Sequence, residues 1–146
     1  MNHSRKDLLA VAFLVLLITA FFAREIFTDQ TLVTFRLTNA FPWLVEAGPE
    51  DTGQPSVTSD CTFSYYPRRV FATGMIREGK VPFWNPHQFS GTPFLATFQT
   101  MVFYPVNIPL YALDPPTQMD LFIYLHFLIA AVFGYLLGRK LKMSAP

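Results

Sequence analysis

The chain is short of charge and of cysteine. Only 14% of its 146 residues are Asp, Glu, Lys or Arg, against roughly 25% in an average soluble domain. A net charge of +1 gives the phosphate backbone of a nucleic acid little to hold, which excludes that class of partner. The single cysteine, Cys61, rules out an internal disulfide framework, and without a C-x-x-C or His/Cys cluster there is no structural zinc site. Cys61 has no thiolate-stabilising neighbour in sequence and reads as inert. Walker loop, dinucleotide fingerprint, G-x-S-x-G elbow and H-E-x-x-H are all missing. No cofactor and no metal site are expected. A divalent cation could gather at the adjacent acids Glu50 and Asp51, though in a Gly/Pro-rich stretch these read more simply as solvated.

What the chain has instead is apolar mass, 51% hydrophobic and 16% aromatic, much of it in two segments. Leu8 to Ala23 has Thr19 as its only polar member and lies between Arg5-Lys6 and Arg24-Glu25. Leu121 to Gly138 contains one histidine, His126, and runs into Arg139, Lys140 and Lys142. Each approaches the roughly 20 residues that cross a bilayer. A cleaved signal peptide is the alternative for the first, but no small-x-small site precedes Ala20 or Ala23. Basic outer flanks put both termini in the cytoplasm. The expected layout is a cytoplasmic terminus at 1–7, transmembrane helices at 8–23 and 119–138, an external loop at 24–118 and a cytoplasmic tail at 139–146. The expected fold class is an all-α membrane protein, with two transmembrane helices bracketing a large external loop of short, partly membrane-surface helices.

Within the loop, 26–44 shows no clean period and reads as interfacial structure, with Trp43 at headgroup level. Glu46 to Ser59 is polar and rich in breakers, hence an exposed loop. Ser59-Asp60 opens a helical run. Pro67 falls in the first turn of a helix from about Arg68 to Glu78, Val70, Phe71, Gly74 and Met75 share a face, and Gly79 stops it. Val81 to Pro105 combines Pro82, Pro86, Gly91, Pro93 and Pro105 with many aromatics and has no Asp, Glu, Lys or Arg. It predicts an ordered, compact structure rather than a long helix or a linker. Pro105 and Pro109 break the next apolar run into short pieces, and Asp114-Pro115-Pro116 turns the chain into the second span. There, Ala130, Gly134 and Gly138 form a small-residue stripe suited to close approach by another helix. The partner would be a second copy or further helices of a longer chain. A chance stripe facing lipid is the bland alternative.

Few residues could carry chemistry. Asp60 could act as general base towards a hydroxyl, or simply cap a helix. Arg68 and Arg69 could hold a phosphate or diphosphate, or anchor to the membrane surface or form salt bridges. His87 could bind metal or shuttle a proton, or be a hydrogen-bonded structural residue. His126, costly inside a span unless paired, is a functional candidate, with a packing hydrogen bond to a neighbouring helix as its structural reading.

Four motifs then combine: S-D-x-x-x-x-Y-Y-P from Ser59, R-E-G-K-V-P-F-W-N-P-x-x-F-S-G-T-P-F-L-A-x-x-Q from Arg77, F-Y-P-x-N from Phe103, and L-H-F-L-I-A from Leu125. Together they resemble the amino-terminal part of the YfhO family of bacterial multi-spanning membrane proteins. The resemblance implies the GT-C class of glycosyltransferases, a polyprenyl-phosphate-linked sugar as donor, an extracytoplasmic acceptor and residence in the bacterial cytoplasmic (inner) membrane. An aspartate in the first external loop is the expected catalytic residue of that class, and Asp60 matches it. Arg68, Arg69 and His87 are the candidate substrate-binding residues, though no family role maps onto them. Such enzymes carry many more spans, so the chain is expected to be an inactive fragment on its own. The alternative is a non-catalytic two-span protein whose external loop binds membrane lipid or a partner protein.

Overall fold

The computed structural model describes residues 3–28, 30–32 and 60–143. Most of the expected interfacial segment, Trp43, the Glu46–Ser59 loop and the Glu50-Asp51 pair lie outside the described residues. The chain divides into two units, residues 1–30 with 120–146 and residues 31–119.

The first unit is a pair of antiparallel helices. Helix α1 (His3–Phe21) is followed after one residue by the short α2 (Ala23–Phe27), and its partner is α5 (Pro115–Lys140), whose first residues belong to the second unit. The expected span at 8–23 is therefore interrupted at Phe22, where φ is −94° and ψ 13°. The ladder still carries through, with the Phe22 N–H bonded to Ile18 O and the Ile26 N–H to Phe22 O, both at 3.0 Å. Phe22 is buried, its ring edge-on to Tyr124 and Phe127. Nearer the middle, the Thr19 and Tyr124 hydroxyls meet at 2.8 Å. At the far end the Asp7 carboxylate accepts from Tyr135 at 2.7 Å and pairs with Arg139 Nε at 2.9 Å. Contacts thus run down α5 as they run up α1.

Half-buried positions of α1 at Asp7, Val11, Leu14 and Ile18, continued by the buried Phe22, follow the spacing of one helix face. The other face is equally apolar and open, with Leu8, Phe13, Leu16 and Phe21 each more than half exposed. Among the described residues, α5 is the one helix long and apolar enough to cross a membrane, and none of its apolar window is buried inside the protein.

The second unit begins with Asp60 and a wide π-turn, Cys61–Tyr65, that leads into α3 (Tyr66–Arg77). The Tyr66 N–H reaches back five residues to Cys61 O. Pro67 accounts for the widening, because it has no N–H to return and its ring clashes with a carbonyl four residues back. At the other end Gly79 stops α3 as expected. With φ +71° it lets its own N–H bond Ile76 O and the Lys80 N–H bond Met75 O, each at 2.9 Å, the double closure of a Schellman motif.

The Val81–Pro105 stretch is ordered and non-helical for most of its length, which adds a small β element to the helical fold. Two-residue strands β1 (Trp84–Asn85) and β2 (Thr92–Pro93) pair antiparallel, Trp84 opposite Pro93. The connecting tip closes with the Gly91 N–H on Gln88 O at 2.8 Å. Phe89 and Ser90 between them both have positive φ, 51° and 61°, the signs of a type I′ turn that usually takes Asn-Gly. Gly91 is obligatory on two counts. Its φ is +119°, and a Cβ there would lie 2.5 Å from the Trp84 ring.

A 3₁₀ turn (Phe98–Thr100) and the short α4 (Asn107–Leu110) complete the unit. Ala72, Phe94, Val102 and Tyr111 form its core, with Phe71, Ile76 and Leu95 packed against it. Of the face shared by Val70, Phe71, Gly74 and Met75, Phe71 is the residue packed on this core. Ala72 and Thr73 are buried while Val70 and Gly74 are exposed, because this interior also takes in polar groups. Thr73 Oγ1 and the Gln118 side-chain amide bond each other at 3.0–3.1 Å, and Gln118 Nε2 donates to Leu113 O at 2.6 Å. Arg77 clasps the Tyr111 and Leu113 carbonyls, and Tyr111 OH donates to Val102 O. Asp114 turns the chain into α5 as expected, its carboxylate accepting from both the N–H and the hydroxyl of Thr117.

Gly91→Ala should destabilise the unit by about 2–4 kcal/mol, combining overpacking with left-handed strain. Gly74→Ala, with open space around its Cβ, should be neutral or stabilising by up to about 1 kcal/mol. Thermal unfolding in detergent, followed by tryptophan fluorescence, compares the two.

The Thr117 bonds hold the Asp114 carboxyl below its ordinary range. Its stabilising contribution is therefore complete above the unfolded value of about 3.9 and is lost as pH falls through the lower folded value. Asp114→Ala should cost about 0.5–2 kcal/mol at pH near 7 and should remove that part of the acid sensitivity in unfolding curves.

Candidate functional site

A groove of 640 Å³ opens between the π-turn with the start of α3 on one side and the hairpin tip on the other. Phe63, Tyr66, Val70 and Phe71 give it an apolar, largely aromatic floor, and Asn85, His87 and Gln88 form the opposite wall. The wall is set by a local device. Asn85 is buried and its Oδ1 accepts the His87 backbone N–H at 2.9 Å, an Asx-type turn of the kind Asn-Pro favours. The imidazole then stands edge-on to Phe71, ring centres 5.9 Å apart, and Phe71 is in turn edge-on to the core ring of Phe94 at 4.9 Å. Arg68 also lines the groove, and its Nη1 donates to Gln99 Oε1 at 2.6 Å. A cation, an imidazole and the Ser64 hydroxyl around an aromatic floor suit a ligand with an anionic head and an apolar body.

Of the five residues singled out from sequence, Asp60, Arg68, Arg69, His87 and His126, the fold brings two, Arg68 and His87, to this groove. Arg69 turns to the interior, where its Nη1 donates to Asn107 Oδ1 at 2.9 Å. Burial lowers its pKa, with the neighbouring Tyr111 opposing that shift, and burial raises the Tyr111 phenol. Asn107, with 0% of its surface exposed, gives its other end to Met101 O at 2.7 Å. Arg69 and Asn107 therefore form a structural link between α3 and α4.

Asp60 is exposed and makes no capping hydrogen bond to the turn it opens, so the capping reading does not hold. It stands one wide turn before Ser64 and is not among the described residues lining the groove. His126 bonds Phe122 O of its own helix at 2.6 Å. Ala130 and Gly134 are exposed on α5, with open space beside Gly134. Cys61 is a half-buried free thiol. Among the described residues no group of three or more His, Cys, Asp or Glu could hold a metal ion.

Sequence reasoning passed over Asn107, Gln118 and Arg77, which hold the groove's frame. Asn107 was within reach, since it ends the F-Y-P-x-N motif. No protein-family model, curated protein or solved structure matches the chain.

Arg69→Met should leave the Asn107 oxygen buried without this donor and destabilise the protein by about 1–3 kcal/mol. Arg68→Met, which loses an exposed bond, should stay within about 0.5 kcal/mol of the parent. Denaturant unfolding in detergent separates the two arginines.

Proposed function

We propose that this chain is a membrane-embedded module in which α1 and α5 cross the bilayer as an antiparallel pair and residues 31–119 form an extracytoplasmic binding unit. Two features support the membrane placement. The outward faces of both helices are as apolar as their contact faces, a pattern of buried or membrane-spanning helices. Basic residues flank both outer ends, which favours cytoplasmic termini. Asp7 and Arg139 neutralise each other at that end of the pair.

The function that the geometry supports best is recognition of an anionic amphiphile, and the observation that carries it is the meeting of Arg68 and His87 over the Phe63–Phe71 floor. In the glycosyltransferase reading implied by the YfhO-like motifs, the amphiphile is a polyprenyl-phosphate-linked sugar in a bacterial inner membrane. Asp60 would take the proton of an acceptor hydroxyl, the freed oxygen would attack the anomeric carbon, and the carbon–oxygen bond to the lipid phosphate would break, the phosphate leaving with the electron pair. That transfer needs the further helices of a longer chain. A non-catalytic two-span protein associating through Ala130, Gly134 and Gly138 is the second reading, favoured by the exposure of Ala130 and Gly134.

The test is binding of farnesyl monophosphate to the full chain in nanodiscs. Arg68→Ala and His87→Ala should each weaken binding about tenfold, the effect of losing roughly one charge-assisted hydrogen bond, and uncharged farnesol should not compete. Equal binding of farnesol, or no effect of Arg68→Ala, would sink the headgroup assignment. Asp60→Asn should leave binding unchanged while lowering transfer by the longer protein about 10²–10⁴-fold. Intact transfer would remove Asp60 from the chemistry and leave the non-catalytic reading.

A further inference from the structure

The tip of the β1–β2 hairpin is at odds with its own residues. Phe89 adopts φ +51° in a turn that favours Asn or Gly, a region that bulky side chains rarely enter. Its ring is 89% exposed, so no packing within the unit offsets that strain. Phe98 is more exposed still, at 98%, and opens the 3₁₀ turn whose end is held by Met101 in left-handed conformation, the Met101 N–H returning to Phe98 O. Two aromatic rings are thus held outward by closed turns. Strain and exposure at one residue point to a use outside the unit.

We infer that Phe89 and Phe98 are insertion points into a lipid surface, their rings entering the interfacial layer while the turns that carry them stay among the headgroups. The inference rests on the membrane reading of α5. Two observations favour lipid as the occupant. Residues 81–105 contain no Asp, Glu, Lys or Arg, Gln88, Ser90 and Gln99 beside the rings are neutral hydrogen-bonding groups, and the Arg68 guanidinium bonded to Gln99 is a long-stemmed cation suited to the headgroup layer. The unit also includes the first residues of α5, through Met119. It is therefore covalently continuous with the candidate span. Aromatic side chains are enriched at that level because their rings tolerate both sides of the boundary.

The test uses the full chain with Cys61→Ser, so that an introduced cysteine is the sole thiol. Ser90→Cys and Ala96→Cys, beside the two rings, carry an environment-sensitive fluorophore in phosphatidylcholine vesicles. Phe133→Cys on the exposed face of α5 is the reference. Labels at 90 and 96 should be quenched by nitroxide on the lipid chains and resist aqueous iodide, and adding Phe89→Ser or Phe98→Ser should abolish the lipid quenching at the neighbouring label. If the label at 133 meets lipid while those at 90 and 96 meet iodide, or if the serine variants change nothing, the insertion is refuted and the membrane reading stands. If the label at 133 also meets iodide, the membrane reading fails and takes the insertion with it. Shielding seen only in native membranes and absent from pure lipid vesicles would assign the rings to a protein partner and overturn the inference.

Discussion

Asn107 has no surface exposed to water, and each end of its side chain is committed: the oxygen accepts from Arg69 and the nitrogen donates to Met101 O. The 31–119 unit depends on that link. An amide buried without partners costs about as much as several well-packed methylenes contribute, so α3, the turn after the 3₁₀ segment and α4 have to arrive together. Gln118 does the same for the start of α5, tying it to Thr73 and to Leu113 O. Among the described residues the apolar core is a cluster of four buried side chains with a fringe. Directional polar bonds therefore carry more of the specificity here than in an ordinary core. They hold α3 in one rotation, which faces Arg69 inward and leaves Arg68 at the groove.

The two-helix unit follows the opposite logic. Its polar contacts include Asp7 with Tyr135 and Arg139 at one end and Thr19 with Tyr124 nearer the middle. Between them the helices meet through aliphatic and aromatic side chains, and their outer surfaces continue the same composition. In water that surface would be a large liability, whereas in hydrocarbon it is neutral. Ion pairs at the end and hydroxyl pairs within are also what a low-dielectric setting rewards, because each polar group then has a partner.

Local signals were legible in the sequence and long-range ones were not. Pro67 at the start of α3, Gly79 just past its end and Asp114 ahead of Pro115 all act within one turn of themselves, and each does what its chemistry predicts. The aromatic, proline-rich stretch was readable as compact, but its strand pair was hidden because two-residue strands have no period to detect. Which polar residues α3 turns inward was not legible. The interior takes Arg69 and Thr73 because acceptors 38 and 45 residues away are buried there. The same distance hid the parting of Arg68 from Arg69. Adjacent residues on a helix point about 100° apart, so only the rotation of α3 decides which one reaches the groove. Asp60 was readable as the opening of a helical run, but its separation from the groove lining was not.

The π-turn between Asp60 and α3 carries one more consequence. A wide turn accommodates one residue beyond an α-turn. Removing a single residue from Cys61–Tyr65 and letting the turn tighten would swing Asp60 by about 100° around the axis. Because Phe63 and Ser64 belong to the same turn and line the groove, the change would also recut that side of the groove, while Arg68 and the hairpin wall kept their places. The carboxylate and the groove's near edge are thus geared together through one turn.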